Sequence, residues 1–465
     1  EYFYLKKAYQ GEVMTLNFRE SCLTLLGISV IMVVGLFVVE MPIAVILIAE
    51  SIFVGVIALL RKIPYSELQE SMVSSVTSFI TPILMLLLIG ALVASWIIGG
   101  TVPTLIYIGI KIIDARFVVI ITFIMCSIMS MLIGTSWGVI STLGVAFAGI
   151  ASGLGIDPSY TVSAVVAGAF VGDKMSPMSS SLALAGELTS VQPIQGIKAT
   201  LYSNIPAIVI SIVLYIYLGI VTAPGGDLHT QETDQLLNAL ADEFNLGVLT
   251  LIAPVLLIFF MVIKVPTIPT FVLGIIAGVL ESLLIQGNNL TEITEGLMSG
   301  YNLAENEAVN ELLHYGGVNS MASILILLLF AACFGGIIKR LGIITCLLER
   351  VFRNSRSSGS IVTGAVILHS ICFIVTGNYY AINSILAPPL NDVFDKSNVP
   401  RSKLTAVLLN AGTGISPIIP WSATAIFVTN TLGMDSTAYC IYAPVLWLPI
   451  ILQPLFAYMG KKETK

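Results

Sequence analysis

The feature that most constrains the fold of this chain is a succession of mostly apolar runs, many as long as a bilayer is thick. A helix that crosses a bilayer needs about 20 mostly apolar residues, and runs such as 22–39, 41–60 and 200–222 reach that length. Only 10% of the residues are charged, whereas a soluble domain carries roughly 25%. A soluble enzyme, a nucleic-acid-binding protein and a disordered scaffold are therefore excluded. We expect an all-α polytopic membrane protein with about ten to thirteen membrane elements.

Several other apolar runs are too short to cross a bilayer alone, among them 102–113, 159–171 and 403–411. Backbone outside a continuous helix is tolerated at membrane depth only where it faces protein or a cavity. These short runs therefore predict broken and re-entrant helices.

Charged residues predict the orientation, because Lys and Arg concentrate in short cytoplasmic loops. Basic residues gather near both ends of the chain and at 339–356, while the segments 223–246 and 287–320 hold acidic residues and no Lys or Arg. We predict that both termini are cytoplasmic and that the two acidic segments are extracellular.

The two halves of the chain resemble each other. Three landmarks recur at offsets of 241, about 242 and 240 residues: the apolar run at 83–103, the polar break GTSWG at 134–138, and GDKMSP at 172–177. Their second-half counterparts are 324–344, 376–380 and 412–417.

An odd number of crossings in each half would make the halves antiparallel, which is the inverted-topology repeat of many secondary transporters. The predicted organisation is an N-terminal membrane repeat at 1–222, an extracellular acidic linker at 223–246 and a C-terminal membrane repeat at 247–465.

The paired breaks are the predicted site, because unwound backbone and helix N-termini can bind ions there. Ser176-Pro177 and Ser416-Pro417 are each expected to start a new helix, since Pro is favourable in a first turn. The remaining polar candidates for ion or substrate binding are Thr135, Ser136, Ser179, Thr376, Asn378, Asn410 and Thr413.

Asp173 is the central candidate, because a charged residue deep in a membrane protein usually lines an ion path. We predict that it binds Na⁺ or H⁺ and that Lys174 balances its charge, the alternative being a buried structural ion pair. Glu50 is a candidate second proton site, or else a structural partner inside the bundle. His369 could titrate near neutral pH, although a lone His in a bundle is more often a hydrogen-bonding structural residue.

The segments LLIGALVASWIIGGTVPTLIY, GTSWG, GAFVGDKMSPMS, YGGVNSM and GTGISPIIPW closely resemble the NhaC family of Na⁺/H⁺ antiporters. The resemblance runs in order from about residue 22 to residue 450. It implies inverted repeats with re-entrant hairpins, no enzymatic activity, and Na⁺ and H⁺ as transported ions without a cofactor. The family also has an organic-acid branch that resembles a malate/proton for lactate/sodium exchanger.

The sequence departs from the family pattern at two places. Ser180 stands where an Asp is usual, and Leu409 and Asn410 stand where a Glu-Asp pair is usual. Asp173 is then the carboxylate in the breaks that matches the family. The first hypothesis is Na⁺/H⁺ exchange, and the alternative is exchange of a small carboxylate or amino acid against Na⁺ or H⁺. A channel or a non-transporting membrane scaffold is a third hypothesis, and a homodimer is left open.

Overall fold

The computed structural model describes residues 16–77, 80–177, 179–222, 231–263, 265–301, 306–313, 316–343, 351–352 and 357–459, which are helical or connecting segments throughout. Both termini and residues 223–230 of the predicted linker lie outside the described residues, so the sidedness predicted for them stays a prediction. The rest of the linker contains a helix at Gln231–Glu243.

The first half contains ten helices within the described ranges. They are α1 (Phe18–Phe37), α2 (Ile43–Leu60), α3 (Tyr65–Thr77), α4 (Ile80–Ile98), α5 (Thr101–Ile112), α6 (Val118–Ile133), α7 (Ser136–Gly153, with a π-helical turn at Ile140–Gly144), α8 (Pro158–Met175), α9 (Ser180–Thr189) and α10 (Pro193–Thr222).

The rest of the described chain continues with α11 (Gln231–Glu243), α12 (Ile252–Val262), α13 (Thr267–Glu281, followed by a π-helical turn at Ser282–Gln286), α14 (Leu290–Ser299), α15 (Glu307–Leu313), α16 (Ala322–Leu341), α17 (Ser358–Thr376), α18 (Tyr379–Lys396), α19 (Arg401–Leu408, followed by a π-helical turn at Leu409–Gly414), α20 (Ala423–Leu432), α21 (Ser436–Tyr439) and α22 (Pro444–Met459).

Eight helices in the described ranges are long and apolar enough to cross a membrane, and the number is eleven if each bent helix pair is one span. One bent pair is α4 with α5, whose axes differ by 63° at the Gly99–Gly100 break. The protein is therefore a multi-pass membrane protein, and the predicted broken helices are present.

Helix boundaries recur between the halves at an offset of 243 residues. Gly134 ends α6 and Gly377 ends α17, both with positive φ (77° and 63°). The next residue caps a new helix in each half: the Thr135 hydroxyl accepts from Gly138 N–H, and the Asn378 side chain accepts from Ala381 N–H. The same offset relates the N-caps of α9 and α20, which are Ser179 and Ser422.

The halves also exchange equivalent contacts. Helix α2 packs against α16, and α13 packs against α4. In the same way α9 packs against α18, and α20 against α7. The two broken regions consequently contact each other.

Candidate functional site

Asp173 lies in the last turn of α8 and is 3% exposed. Three serine hydroxyls donate to its carboxylate. Ser136 Oγ lies 2.8 Å and Ser181 Oγ 3.3 Å from Oδ2, while Ser179 Oγ lies 2.6 Å from Oδ1. Two of these serines, Ser136 and Ser179, were predicted as binding residues. An ionised carboxylate is an acceptor only, so this donor set suits the charged form of Asp173.

Two helix N-termini adjoin the Asp173 carboxylate. Helix α7 begins at Ser136, and α9 begins at Ser180, directly after its N-cap Ser179. The Ser179 hydroxyl accepts from the backbone N–H groups of Ser181 and Leu182 while it donates to Asp173. Because a helix N-terminus carries partial positive charge, both helices favour a negative charge here. This arrangement explains how a carboxylate is stabilised inside a membrane protein.

The prediction that Ser176-Pro177 and Ser416-Pro417 start new helices is wrong. Ser176 is the C-cap of α8, and its hydroxyl donates to Met131 O at 2.7 Å. Ser416 lies in a turn, where its hydroxyl donates to Thr413 O at 2.8 Å. Both serine side chains are thus engaged with the preceding structure, and the helices begin after Ser179 and Ser422, three and six residues later.

The position of Asp173 depends on Gly172. A Cβ atom at Gly172 would lie 2.4 Å from Met131 N and 2.4 Å from Ser130 C, both backbone atoms of α6. Only a residue without a side chain permits this approach. The glycine therefore brings the end of α8 against the end of α6, next to the break that carries Ser136.

Lys174 is fully buried in the last turn of α8. Its Nζ donates to Val445 O at 3.0 Å, at the start of α22. Asp173 and Lys174 are both described, and no ion pair joins them. Lys174 thus connects the first-half break to the second half. A Cβ atom added to Gly414 would lie 3.6 Å from its Cδ.

Tyr379 connects the Asp173 site to the second-half break. Its hydroxyl lies 3.4 Å from Ser181 Oγ, which itself contacts Asp173. Tyr379 is the first residue of α18, and it stacks on Tyr380 with ring centroids 4.2 Å apart. Sequence reasoning did not select Ser181 or Tyr379; the available signal was that each lies in the first turn of a helix after a break.

A small cavity lies at the second-half break. The N-terminus of α18 faces it, and the buried Asn378 Nδ2 has no hydrogen-bond partner. Its lining residues are Trp137, Leu328, Gly377, Asn378, Tyr379, Tyr380, Ala423 and Thr424.

The other second-half candidates do not contact Asp173. Thr376 Oγ1 donates to Cys372 O at 2.9 Å, and the buried Thr413 Oγ1 has no partner. Asn410 lies in a separate amide network. Its Oδ1 accepts from Asn204 Nδ2, and its Nδ2 donates to Ser203 Oγ and Gln453 Oε1.

The two remaining titratable candidates are buried but lie apart from the carboxylate of Asp173. His369 Nε2 is 2.6 Å from Asn383 Oδ1, and the ring packs near Gly412 in the π-helical turn. Glu50, in α2, is 0% exposed and has no partner for either carboxylate oxygen. The breaks therefore bring together Asp173, Ser136 and Ser179. None of the other predicted residues, all within the described ranges, hydrogen-bonds to the Asp173 carboxylate.

Comparison with known proteins identifies the family. The profile of the Na⁺/H⁺ antiporter family matches residues 18–184 and 168–461. This chain belongs to the Na⁺/H⁺ antiporter family. The two matches overlap and together run from residue 18 to residue 461, and the family predicted from the sequence motifs is confirmed.

Among its relatives, the Na⁺/H⁺ antiporter NhaC of Alkalihalophilus pseudofirmus is 32% identical over 94% of this chain and 95% of its own length. The malate-2H⁺/Na⁺-lactate antiporter of Bacillus subtilis is 31% identical over 85% of each chain. The arginine/ornithine antiporter ArcD of Halobacterium salinarum is 28% identical over 96% of this chain and 93% of its own. The relatives thus share an antiporter description but differ in their solutes.

Proposed function

We propose that this protein is a secondary antiporter that exchanges Na⁺ for H⁺ across a prokaryotic cytoplasmic membrane. The observation that carries the proposal is a buried Asp173 carboxylate held by three serine hydroxyls between two helix N-termini. Membership of the Na⁺/H⁺ antiporter family and the NhaC relative support the choice of ions.

Asp173 binds Na⁺ and H⁺ alternately in this proposal. The hydroxyls of Ser136, Ser179 and Ser181 donate to the carboxylate when it holds no cation. A hydroxyl oxygen also has lone pairs, so rotation of these hydrogens lets the same oxygens face a bound Na⁺. When a proton arrives, it occupies Asp173 and the cation leaves. The site holds one cation at a time, which couples the two fluxes.

Lys174 offsets part of the negative charge of Asp173 when neither ion is bound. Because its ammonium group binds Val445 O in the second half, it also connects this charge to the inter-repeat contact. Alternation between the two membrane faces then requires the inverted arrangement of the repeats, with the breaks near mid-bilayer.

Glu50 is the proposed second proton site and His369 a further candidate for coupling. Both are fully buried. The predicted ligands Thr135, Ser176, Thr376, Asn378, Asn410, Thr413 and Ser416 would join the site only if the breaks rearrange, since none of them contacts Asp173 in this conformation.

One observation favours the alternative, exchange of a small carboxylate. At the second-half cavity, the unpartnered Asn378 Nδ2 and the N-terminus of α18 offer donors, and a helix N-terminus suits an anion. The malate/lactate relative supports the same chemistry.

Proteoliposomes with an imposed Na⁺ gradient and a pH-sensitive dye inside distinguish the two functions. Proton flux that follows Na⁺ with no organic solute present is the expected result. Flux that appears only when malate, lactate or an amino acid is added would replace the proposal by the alternative. Steady current without a counter-substrate would indicate a channel.

A further inference from the structure

A second buried carboxylate lies at the break between α4 and α5, outside the Asp173 site. Glu281, at the end of α13, is 5% exposed. Its Oε1 accepts from Ala253 N–H at 2.7 Å, in the first turn of α12, and its Oε2 lies 2.8 Å from Thr101 Oγ1, at the start of α5. Glu281 therefore joins the first-half break to the beginning of the second half.

The hydrogen bonds around Thr101 identify the protonation state of Glu281. Thr101 Oγ1 lies 2.8 Å from the carbonyl oxygen of Thr250 as well as 2.8 Å from Glu281 Oε2. A hydroxyl has one proton to donate, and a carbonyl oxygen can only accept. With an ionised Glu281, Thr101 must share its one hydrogen between two acceptors. With a protonated Glu281, Oε2 can donate to Thr101, which then donates its own hydrogen to Thr250, and both contacts are full hydrogen bonds. Asp173 differs, because each of its contacts is from a donor hydroxyl.

The end of this hydrogen-bond chain lies at a cleft. The cleft has a volume of about 600 Å³, and Thr250 lines it together with Tyr107, Phe244 and Asn245. The Thr250 hydroxyl also lies 2.7 Å from Thr104 Oγ1. Thr250 thus contacts the cleft and, through its backbone carbonyl, the Thr101 hydroxyl that contacts Glu281, which places Glu281 close to water in the cleft.

Backbone N–H groups at the start of α12, those of Ile252 and Ala253, donate to Glu281, but no Lys or Arg pairs with it in the described residues. In the described residues of the helices packed around it, α4, α5 and α12, the titratable side chains are Tyr107 and Lys111 of α5. Lys111 Nζ lies 4.0 Å from the centroid of the Tyr107 ring, and the two contact each other rather than Glu281. An unpaired charge in a membrane helix costs several kcal/mol.

We propose that Glu281 is a proton-binding site separate from Asp173, which is protonated in this conformation and exchanges its proton with water in the cleft. When the proton leaves, the carboxylate competes with the Thr250 carbonyl for the single hydrogen of Thr101. One of the two contacts is then lost, and α5 separates from the turn that precedes α12. Proton release at Glu281 would thereby loosen a contact between the two halves.

Glu281→Gln tests this proposal without emptying the site. The Gln amide can donate to Thr101 and accept from Ala253 N–H, so it imitates the protonated acid and keeps both contacts. Thr101→Val removes the hydroxyl that contacts both Glu281 and the Thr250 carbonyl, and Thr101→Ser, which keeps a hydroxyl, is its matched control. Folding of each variant is checked by size-exclusion chromatography of the full chain in detergent.

The measurement is the infrared difference spectrum of the purified protein between acidic and alkaline pH. We expect the unmodified protein to show a protonated-carboxyl band that disappears as pH rises. Glu281→Gln should lack this band, and Thr101→Val should lose it at a different pH. Thr101→Ser should behave like the unmodified protein. A Glu281→Gln spectrum identical to that of the unmodified protein would overturn the proposal. Since no transport is measured, this result stands whether or not Na⁺/H⁺ exchange is confirmed.

Discussion

At the scale of single residues, Ser179 has two roles, of which the sequence predicted only the binding role. It caps α9 and donates to Asp173. Loss of an N-cap hydroxyl costs about 1 kcal/mol. We therefore expect Ser179→Ala to lower thermal stability slightly and to weaken Na⁺ binding several-fold, because Asp173 loses its 2.6 Å donor.

The control for Ser179→Ala is Ser152→Ala, which changes an exposed serine in α7. It should leave both Na⁺ affinity and melting temperature unchanged. If Ser179→Ala lowers the melting temperature but binds Na⁺ normally, Ser179 is a helix cap only and does not belong to the ion site.

Sequence reasoning found Asp173, Ser136 and Ser179 because charge and hydroxyl groups are rare in apolar runs. It did not reveal the direction in which Lys174 points, since neighbouring residues on a helix face different sides. The structure adds a hydrogen bond from Lys174 Nζ to Val445 O, which adjacency in sequence did not reveal.

At the scale of elements, the close approach of α8 to α6 depends on Gly172. Gly172→Ala places a methyl group 2.4 Å from backbone atoms of α6, and such overpacking costs about 1–3 kcal/mol. We expect a lower melting temperature and slower exchange, because Asp173 moves relative to Ser136.

Gly55→Ala in α2 is the matched control, because an added Cβ there meets nothing within 4 Å. Ala is favoured over Gly in a helix by roughly 0.5–1 kcal/mol, so this variant should be at least as stable as the unmodified protein. Equal melting temperatures for the two variants would contradict the close packing of α8 on α6.

The sequence located the breaks but placed the helix starts too early. The Ser-Pro pairs fit the expected pattern of a helix start. The helices begin further along the chain, however, because Ser176 is bound to Met131 O and Ser416 lies in a turn. The Ser-Pro pairs recur at an offset of 240 and the caps at 243, because the stretch from the Ser-Pro pair to the next N-cap is three residues longer in the second half.

At the scale of the whole molecule, the paired contacts of α2 with α16 and of α13 with α4 agree with two related halves. Sidedness follows from the distribution of Lys and Arg and stays a prediction. Cysteine replacements at Thr230 and Ser357 test it, in a background without other cysteines and with a membrane-impermeant reagent added to intact cells. We expect labelling at position 230 alone. Labelling at position 357 alone would invert the topology.

Competition between Na⁺ and H⁺ at Asp173 is the central claim, and proton release on Na⁺ binding tests it most directly. Purified protein in weakly buffered detergent solution is mixed with NaCl, with choline chloride as the control salt, and the pH change is recorded. At a pH where Asp173 is protonated, the unmodified protein should release protons when Na⁺ is added, and correctly folded Asp173→Asn should release none. Equal Na⁺-dependent proton release from both proteins would contradict the account.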